Sequence, residues 1–232
     1  MDCFFFNVSG YNIEVYRSIF TPVKSNMFVI LTGKEAVVFD PNENQELLEL
    51  FKKKEIEKVH ILQTHEHYDH TSGVNWLKAK TGADLYCQED CAEVITTKRG
   101  NNPALVALVL ADQDKQDGGH RYKDFKTHFE PYTIEVDKTF EQEDRFVIGE
   151  LEFHVVSTPG HCPGAACYEL FDKMVFTGDT LLQNDPVILS FRESRKDNYE
   201  KIALPYLRSL PKDAIVMPGH GDPFILKDTK NI

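Results

Sequence analysis

The chain has 232 residues, of which 41% are hydrophobic, so it is long and apolar enough to bury a substantial core. Its formal net charge of −11 argues against non-specific nucleic-acid binding through bulk charge, although a local basic patch remains compatible with it. No apolar run approaches the roughly 20 residues needed to cross a bilayer, so we expect no membrane-spanning segment.

The N-terminus and the cysteines predict a cytoplasmic protein. Residues 1–7 lack the basic and long apolar regions of a signal peptide. An odd number of cysteines without such a signal favours free thiols in a reducing compartment. The cysteines are Cys3, Cys87, Cys91, Cys162 and Cys167.

The first half of the chain is predicted to follow the order β-β-β-α-β-α-β. Alternating and β-branched residues favour strands, Gly33-Lys34 is typical of a hairpin turn, and Gly82 is a helix stop. The predicted strands cover 12–19, 26–32, 35–39, 58–63 and 83–87, and the predicted helices cover 46–52 and the stretch from about 71 to 80.

The second half repeats a similar order of elements without a repeated sequence. Its pattern predicts a hairpin over 146–156, strands over 165–170 and 174–177, a helix over 198–210 and a strand over 214–217.

Residues of about 90 to 131 are predicted to form a helical insertion between the halves. Helices are expected over 93–99 and 104–111, followed by a polar loop over 112–119. Long connections of this kind are often lids over a site, and a solvated surface excursion is the equal alternative. As a lid, the segment would supply an apolar wall from Tyr122, Phe125, Phe129 and Tyr132.

Four potential metal ligands lie within six residues after the predicted strand 58–63. His65 and His67 alternate as they do on one face of an extended segment, whereas Asp69 and His70 follow where the chain turns. That arrangement suits two adjacent metals better than one. Single histidines are usually structural, but such a dense cluster is typical of a metal or catalytic site.

Three more ligand types follow predicted strands in glycine-rich turns. His161 lies in Pro-Gly-His, Asp179 in Gly-Asp-Thr, and His220 in Pro-Gly-His-Gly. Glycine allows the backbone to approach closely at such turns. Each signal is weak alone, but together with the first cluster they predict one site.

The order His-x-His-x-Asp-His, Gly-His, Gly-Asp, Gly-His resembles the metallo-β-lactamase superfamily over residues 26–223. The resemblance implies an α+β fold, a four-layer αββα sandwich with metals at one edge. It implies one domain over 1–232 that carries the insertion. By motif, His65, His67 and His161 would hold one metal, Asp69, His70 and His220 a second, and Asp179 would bridge both.

The resemblance also implies the chemistry. Imidazoles and carboxylates suit two divalent ions, Zn²⁺ foremost, with Fe or Mn as alternatives. A hydroxide between the metals would attack the substrate, and Asp69 would orient it or accept its proton. Asp40 is expected to orient a ligand, with a helix cap as the alternative.

Branch-specific positions favour an ester-like substrate: a thioester, a lactone or another carboxylic ester. Asp179 stands where many antibiotic-degrading members have Cys, and position 67 is not the Glu of flavodiiron proteins. Thr-His-x-His-x-Asp-His and Gly-Asp-Thr-Leu are similar to the glyoxalase II-like thioesterases. The helical glutathione-binding domain of that enzyme is not found after His220.

Other activities of the same fold stay open. A phosphodiesterase or ribonuclease would need basic contacts, for which Arg192, Arg121 and Lys123 are candidates. A mononuclear iron persulfide dioxygenase uses two His and one Asp, and the intact second site argues against it. A non-catalytic metal-binding module is the remaining alternative. The expected partner is a small-molecule substrate, and no membrane is expected. Nucleic acid is disfavoured but not excluded, and the sequence does not indicate the oligomeric state.

Overall fold

A computed structural model describes residues 1–98, 100–101, 103–127 and 131–232. The first of its two sheets has seven strands in chain order. The first four strands are antiparallel neighbours, and the pairs from the fourth to the seventh are parallel. These strands are β1 (Asp2–Val8), β2 (Tyr11–Phe20), β3 (Ser25–Thr32), β4 (Glu35–Phe39), β5 (Lys58–Leu62), β6 (Asp84–Gln88) and β7 (Lys138–Phe140).

The second sheet has six strands in the order β13-β12-β11-β10-β9-β8. Only β11 and β12 are parallel among its neighbouring pairs. The strands are β8 (Glu143–Ile148), β9 (Leu151–Ser157), β10 (Ala166–Leu170), β11 (Met174–Gly178), β12 (Ile215–Pro218) and β13 (Phe224–Ile225).

Helices occupy the connections. A π-helical turn at Tyr199–Ala203 joins the last two α-helices, and a 3₁₀ turn at Leu226–Asp228 follows the second sheet. The α-helices are α1 (Gln45–Lys53), α2 (Tyr68–Thr71), α3 (Val74–Thr81), α4 (Glu89–Ile95), α5 (Ala104–Asp117), α6 (Arg121–Thr127), α7 (Lys196–Asn198) and α8 (Leu204–Ser209).

Three apolar clusters hold the layers together. The middle cluster joins the two sheets, and within it the rings of Phe39 and Phe176 stack at 3.7 Å between centroids. A second cluster packs α1 and α3 on the first sheet through Leu47 and Leu77. A third packs α8 on the second sheet through Leu207. The predicted four-layer αββα sandwich is therefore confirmed.

Some local predictions were wrong. The polar stretch 112–119, expected as a loop, continues α5 to Asp117, and the helix ends at Gly118 with a left-handed φ of 75°. Strands β1, β7 and β13 were not predicted. Polar residues on an exposed helix resemble a loop in sequence, and short edge strands carry little alternation.

All five cysteines are free, and only Cys3 is exposed. In the described part of the chain, no helix has both the length and the apolar character needed to cross a membrane.

Candidate metal centre

The predicted ligands lie on four connections that leave strand ends at one edge of the sandwich. The connection after β5 carries the first histidines, and α2 carries Asp69 and His70. The turns after β9, β11 and β12 carry His161, Asp179 and His220. Because both sheets end here, residues far apart in sequence meet.

The side chains of His65, His67 and His161 form one group. One ring nitrogen from each lies within 4.8 Å of the others. The Nε2 atom of His161 lies 3.0 Å from Nδ1 of His67. The other His161 nitrogen, Nδ1, lies 2.9 Å from the carbonyl oxygen of Ile188, which fixes the ring.

The side chains of Asp69, His70 and His220 form a second group, again with donor atoms within 4.8 Å of one another. Both histidines present Nε2 to the same carboxylate oxygen. Asp69 Oδ2 lies 3.4 Å from His70 Nε2 and 3.4 Å from His220 Nε2.

Asp179 lies between the two groups. Its Oδ2 atom is 3.6 Å from His161 Nε2 in the first group and 3.4 Å from His220 Nε2 in the second. Its Oδ1 atom is 3.5 Å from His70 Nε2. The position is that of a carboxylate able to serve both groups.

Divalent cations fit these donors. Separations of 3.4 to 3.6 Å are too long for good N–H···O hydrogen bonds. They are close to the roughly 3.3 Å that separates ligand atoms around a tetrahedral ion at 2.0 to 2.1 Å. Among the described residues, four buried donor atoms of this set lack a hydrogen-bond partner: His65 Nε2, His67 Nε2, His70 Nε2 and Asp179 Oδ1. Buried polar atoms are normally satisfied, and coordination of a cation would satisfy these.

Asp40 fixes the first ligand segment from behind. Its Oδ1 accepts hydrogen bonds from the Thr64 backbone at 2.8 Å and from Gln63 Nε2 at 2.9 Å. Its Oδ2 lies 2.6 Å from Thr64 Oγ1 and 2.9 Å from His70 Nδ1. Because Asp40 uses both oxygens in this way and faces His70 Nδ1, it leaves His70 Nε2 for the site.

The histidines of the site differ in the direction in which their pKa is shifted. Burial and the neighbouring His70 lower the pKa of His65 well below its ordinary value. Burial and His67 lower the pKa of His161 to about 4. At His220, burial lowers the pKa, but the neighbouring Asp179 outweighs burial and raises the pKa to about 10. His65 and His161 are therefore neutral imidazoles, the form that binds metal. At His67, burial lowers the pKa, but the neighbouring Glu193 and other carboxylates outweigh burial and raise the pKa above its ordinary value.

The carboxylates are held ionised. Burial raises the pKa of Asp69 and of Asp179, but the neighbouring histidines outweigh burial. His70 is the largest opposing influence on Asp69, and His220 on Asp179. Both pKa values lie well below the ordinary range, so both side chains offer anionic oxygens.

Two glycines allow the turns that carry the ligands to approach one another closely. A Cβ on Gly219 would lie 2.2 Å from Asp179 Oδ1 and 2.9 Å from His70 Cε1. A Cβ on Gly178 would lie 2.4 Å from Thr64 Oγ1, and its φ of 49° also favours glycine.

The ligand side chains open onto two cavities. One of about 310 Å³ is lined by five of them, among them His67 and Asp69, and by apolar residues. Another of about 780 Å³ is also lined by His67 and Asp69 and includes Arg192. Phe191 lines both, with its ring 5.3 Å from that of His67 between centroids.

The other predicted substrate contacts are not at these cavities. Arg121 pairs with Asp114 and Asp117 and lines a separate cavity of about 790 Å³. Lys123 is exposed and lines neither cavity of the site. Their contact with substrate stays a prediction.

The predicted aromatic wall differs from the structure, because α5 valines cover the site instead. Val106 and Val109 line the smaller cavity, whereas Phe125 lines the separate one of about 790 Å³. Phe129, which the sequence also suggested for this wall, lies outside the described residues.

Three residues near the site were not found from sequence. Gln63 is buried and donates to Asp40 and to the carbonyl oxygen of His65. Glu66 is buried and accepts from Cys162 Sγ at 3.2 Å and the Gly164 backbone at 3.3 Å. Glu193 lies 3.4 Å from His67 Nε2. A polar residue at the end of a buried strand was the available signal for Gln63.

Comparisons with known proteins find relatives of this chain. A relative described as "Glyoxylase B2" from Dictyostelium discoideum is 31% identical over 139 residues, 60% of this chain and 41% of that protein. A "Hydroxyacylglutathione hydrolase" from Rhodospirillum rubrum is 28% identical over 82% of this chain and 58% of its own length. The chain thus matches less than two thirds of either relative.

A solved structure described as "BLEG-1 B3 metallo-beta-lactamase" is 25% identical, with a TM-score of 0.69 over 92% of this chain and 95% of that one. The sequence model of the metallo-beta-lactamase superfamily matches residues 20–220, a range that contains all seven predicted ligands. The chain therefore belongs to the metallo-beta-lactamase superfamily.

Proposed function

We propose that this protein is a dinuclear metal hydrolase of ester-like substrates, with thioesters foremost. The observation that supports it most is the meeting of seven donor side chains in two groups with Asp179 between them. The relative named hydroxyacylglutathione hydrolase supports a thioester, since its name describes an acylated glutathione.

In this proposal His65, His67 and His161 hold one ion, and Asp69, His70 and His220 hold the other. Asp179 contributes to both, because its two oxygens face different histidines. The set contains nitrogen and oxygen donors and no thiolate, which suits Zn²⁺, with Fe or Mn as alternatives. A cytoplasmic location, predicted from the free thiols, belongs to the same proposal.

When bound, the ions would polarise the substrate carbonyl and lower the pKa of a water molecule towards about 7. Asp69 is the proposed acceptor of the proton that the attacking water loses, because its carboxylate is held ionised and lines the cavity of about 310 Å³. The water oxygen forms the new bond to the acyl carbon, and the bond to sulfur or alkoxide oxygen breaks. The proton on Asp69 can then pass to the leaving group.

The surroundings assist this chemistry by holding the ligands still. Asp40 and Thr64 fix His70 from behind, and Phe191 stands against the ring of His67. A rigid, partly apolar surrounding lowers the reorganisation needed when charge develops on the substrate.

The test is hydrolysis by the metal-loaded protein of a panel that contains a thioester, a p-nitrophenyl ester, a lactone, a phosphodiester and a cephalosporin. We expect carboxylic esters to give the highest kcat/KM. His67→Ala and Asp69→Asn should lower it by about 100-fold or more. His60→Ala is the matched control, because His60 pairs with Glu35 away from the site.

A phosphodiesterase is the second candidate. Arg192 lines the same cavity as His67 and Asp69, where it can meet a phosphate oxygen. A higher kcat/KM for the phosphodiester, reduced by Arg192→Ala, would replace the first proposal with this one.

A further inference from the structure

We propose that the substrate carries an uncharged alkyl acyl group, bound in the cavity of about 310 Å³ over the metal ligands. The proposal rests on the hydrolase function proposed above and specifies which substrates it prefers. The floor of this cavity includes His67, Asp69, His161, Asp179 and His220, so a group inside it lies next to the reacting centre.

The walls of the cavity are apolar and come from three separate parts of the chain. One residue comes from the turn between β2 and β3, two from α5, and three from the segment after β11. They are Val23, Val106, Val109, Leu182, Ile188 and Phe191. Convergence of apolar side chains on a polar reacting floor is the usual construction of a small-molecule site.

Helix α5 supplies the roof through its periodicity. Val106 and Val109 are three residues apart and therefore lie on the same face of the helix. Leu110, the residue after Val109, is buried and lines the separate cavity of about 790 Å³. The valine face is thus directed at the site.

The walls of the cavity disfavour an anionic group further along the acyl chain, away from the metal ligands. Among the described residues that line it, none is Lys or Arg, and Asp185 is the charged residue beyond the proposed ligands. A carboxylate or phosphate at that part of the chain would face Asp185, and no Lys or Arg of the described lining would neutralise it. An alkyl chain meets no such cost.

Part of the apolar wall is still exposed to solvent. Val109 is 41% exposed and Ile188 is 47% exposed, although both line the cavity. Exposed apolar residues that line the same cavity beside a site indicate surface that a ligand covers. An alkyl chain that packs on Val109 and Ile188 removes their apolar surface from water, and this burial contributes to its affinity.

The experiment measures kcat/KM of the metal-loaded protein for p-nitrophenyl acetate, butanoate, hexanoate and octanoate. We expect kcat/KM to rise by about fourfold per methylene until the cavity is filled. An equal kcat/KM for all four esters would overturn this proposal and leave the hydrolase function standing.

Variants with an added charge show which cavity binds the alkyl chain of the substrate. Val109→Asp and Ile188→Asp, both at exposed positions, should flatten the dependence on chain length. Val147→Asp is the matched control, because Val147 is 62% exposed on β8 and lines neither site cavity. Leu108→Asp tests the larger cavity, which Leu108 lines. Loss of the dependence in Leu108→Asp but not in Val109→Asp would place the chain there and contradict the proposal.

Equilibrium binding separates the two proposals. The affinity of the metal-loaded protein for acetate, butanoate, hexanoate and octanoate, measured by calorimetry, should rise with length and lose that rise in Val109→Asp. If no ester is hydrolysed and this trend persists, the hydrolase function fails and the apolar site stands. If esters are hydrolysed and the affinities are equal, the apolar site fails.

Discussion

Gly219 leaves no room for a side chain beside Asp179, since a Cβ there would lie 2.2 Å from Oδ1. We predict that Gly219→Ala displaces the carboxylate and weakens metal binding by about 10- to 100-fold. Competition with a chromogenic chelator measures this affinity.

Gly221→Ala is the control for that substitution. Its φ of 83° makes alanine unfavourable by about 1 to 2 kcal/mol, but nothing lies within 4 Å of the added Cβ. Gly221→Ala should therefore lose stability and keep its metal affinity. Wild-type metal affinity in Gly219→Ala would show that Asp179 is not a ligand.

Substitution of Asp40 tests whether metal binding depends on the residues that hydrogen-bond to the ligands. In Asp40→Asn, one acceptor oxygen becomes an NH₂ group that faces Thr64 Oγ1 or His70 Nδ1. We predict a 10- to 100-fold loss of metal affinity with the fold retained, measured by chelator competition and circular dichroism.

Asp144→Asn is a suitable control for Asp40→Asn, because Asp144 accepts from Tyr86 at an exposed position away from the site. Unchanged metal affinity in Asp40→Asn would assign Asp40 a structural role alone.

At the scale of elements, Asp137 joins α3 to the edge of the first sheet. It pairs with Lys78 of α3 and accepts from the Leu85 backbone in β6 at 2.7 Å. Burial raises the pKa of Asp137, but the hydrogen bonds from Lys78 and Leu85 outweigh it and hold the pKa below the ordinary value.

The depressed pKa of Asp137 gives a pH dependence with a definite sign. The carboxylate contributes to stability above its unfolded pKa of about 3.9, and this contribution is lost as pH falls through the lower folded pKa. We predict that Asp137→Asn lowers the free energy of unfolding by about 1 kcal/mol at pH 7, and that the difference shrinks below about pH 4. Urea unfolding of the wild-type protein and of Asp137→Asn, at pH 7 and below about pH 4, measures this difference. An equal difference in the free energy of unfolding at the two pH values would contradict the role of Asp137.

Elements with a clear pattern were predictable, whereas marginal ones were not. β3 and β4 have long apolar runs and a Gly33 turn, so sequence placed them closely. In β1, three consecutive phenylalanines hide the alternation, and Phe5 is 78% exposed. In α5, the polar last turns are stabilised by partners such as Arg121, which a local pattern does not include.

At the scale of the whole molecule, the site exists because two sheets end at one edge. Asn26 of β3 donates to the carbonyl oxygens of Pro218 at 2.9 Å and Gly221 at 2.8 Å, and so ties the first sheet to the turn that carries His220. Ser25 donates to the Asp69 carbonyl oxygen at 2.9 Å. The start of β3 therefore holds the two halves of the site in register.

The candidate ligands were predictable from sequence because each stands in a short motif at a strand end. Among the residues that support the ligands, Asp40 was predicted, whereas Gln63, Glu66 and Glu193 were not, because their contacts join segments distant in sequence. The valine roof was missed for the same reason, since the direction of α5 depends on tertiary contacts.

Metal content tests the central claim most directly. The protein, purified without an affinity tag and without added metal, would be assayed by inductively coupled plasma mass spectrometry. The arrangement of His65, His67 and His161 beside Asp69, His70 and His220 predicts close to two divalent ions per chain, Zn²⁺ foremost. Close to one iron per chain, with no second ion taken up when metal is supplied, would contradict a dinuclear hydrolase.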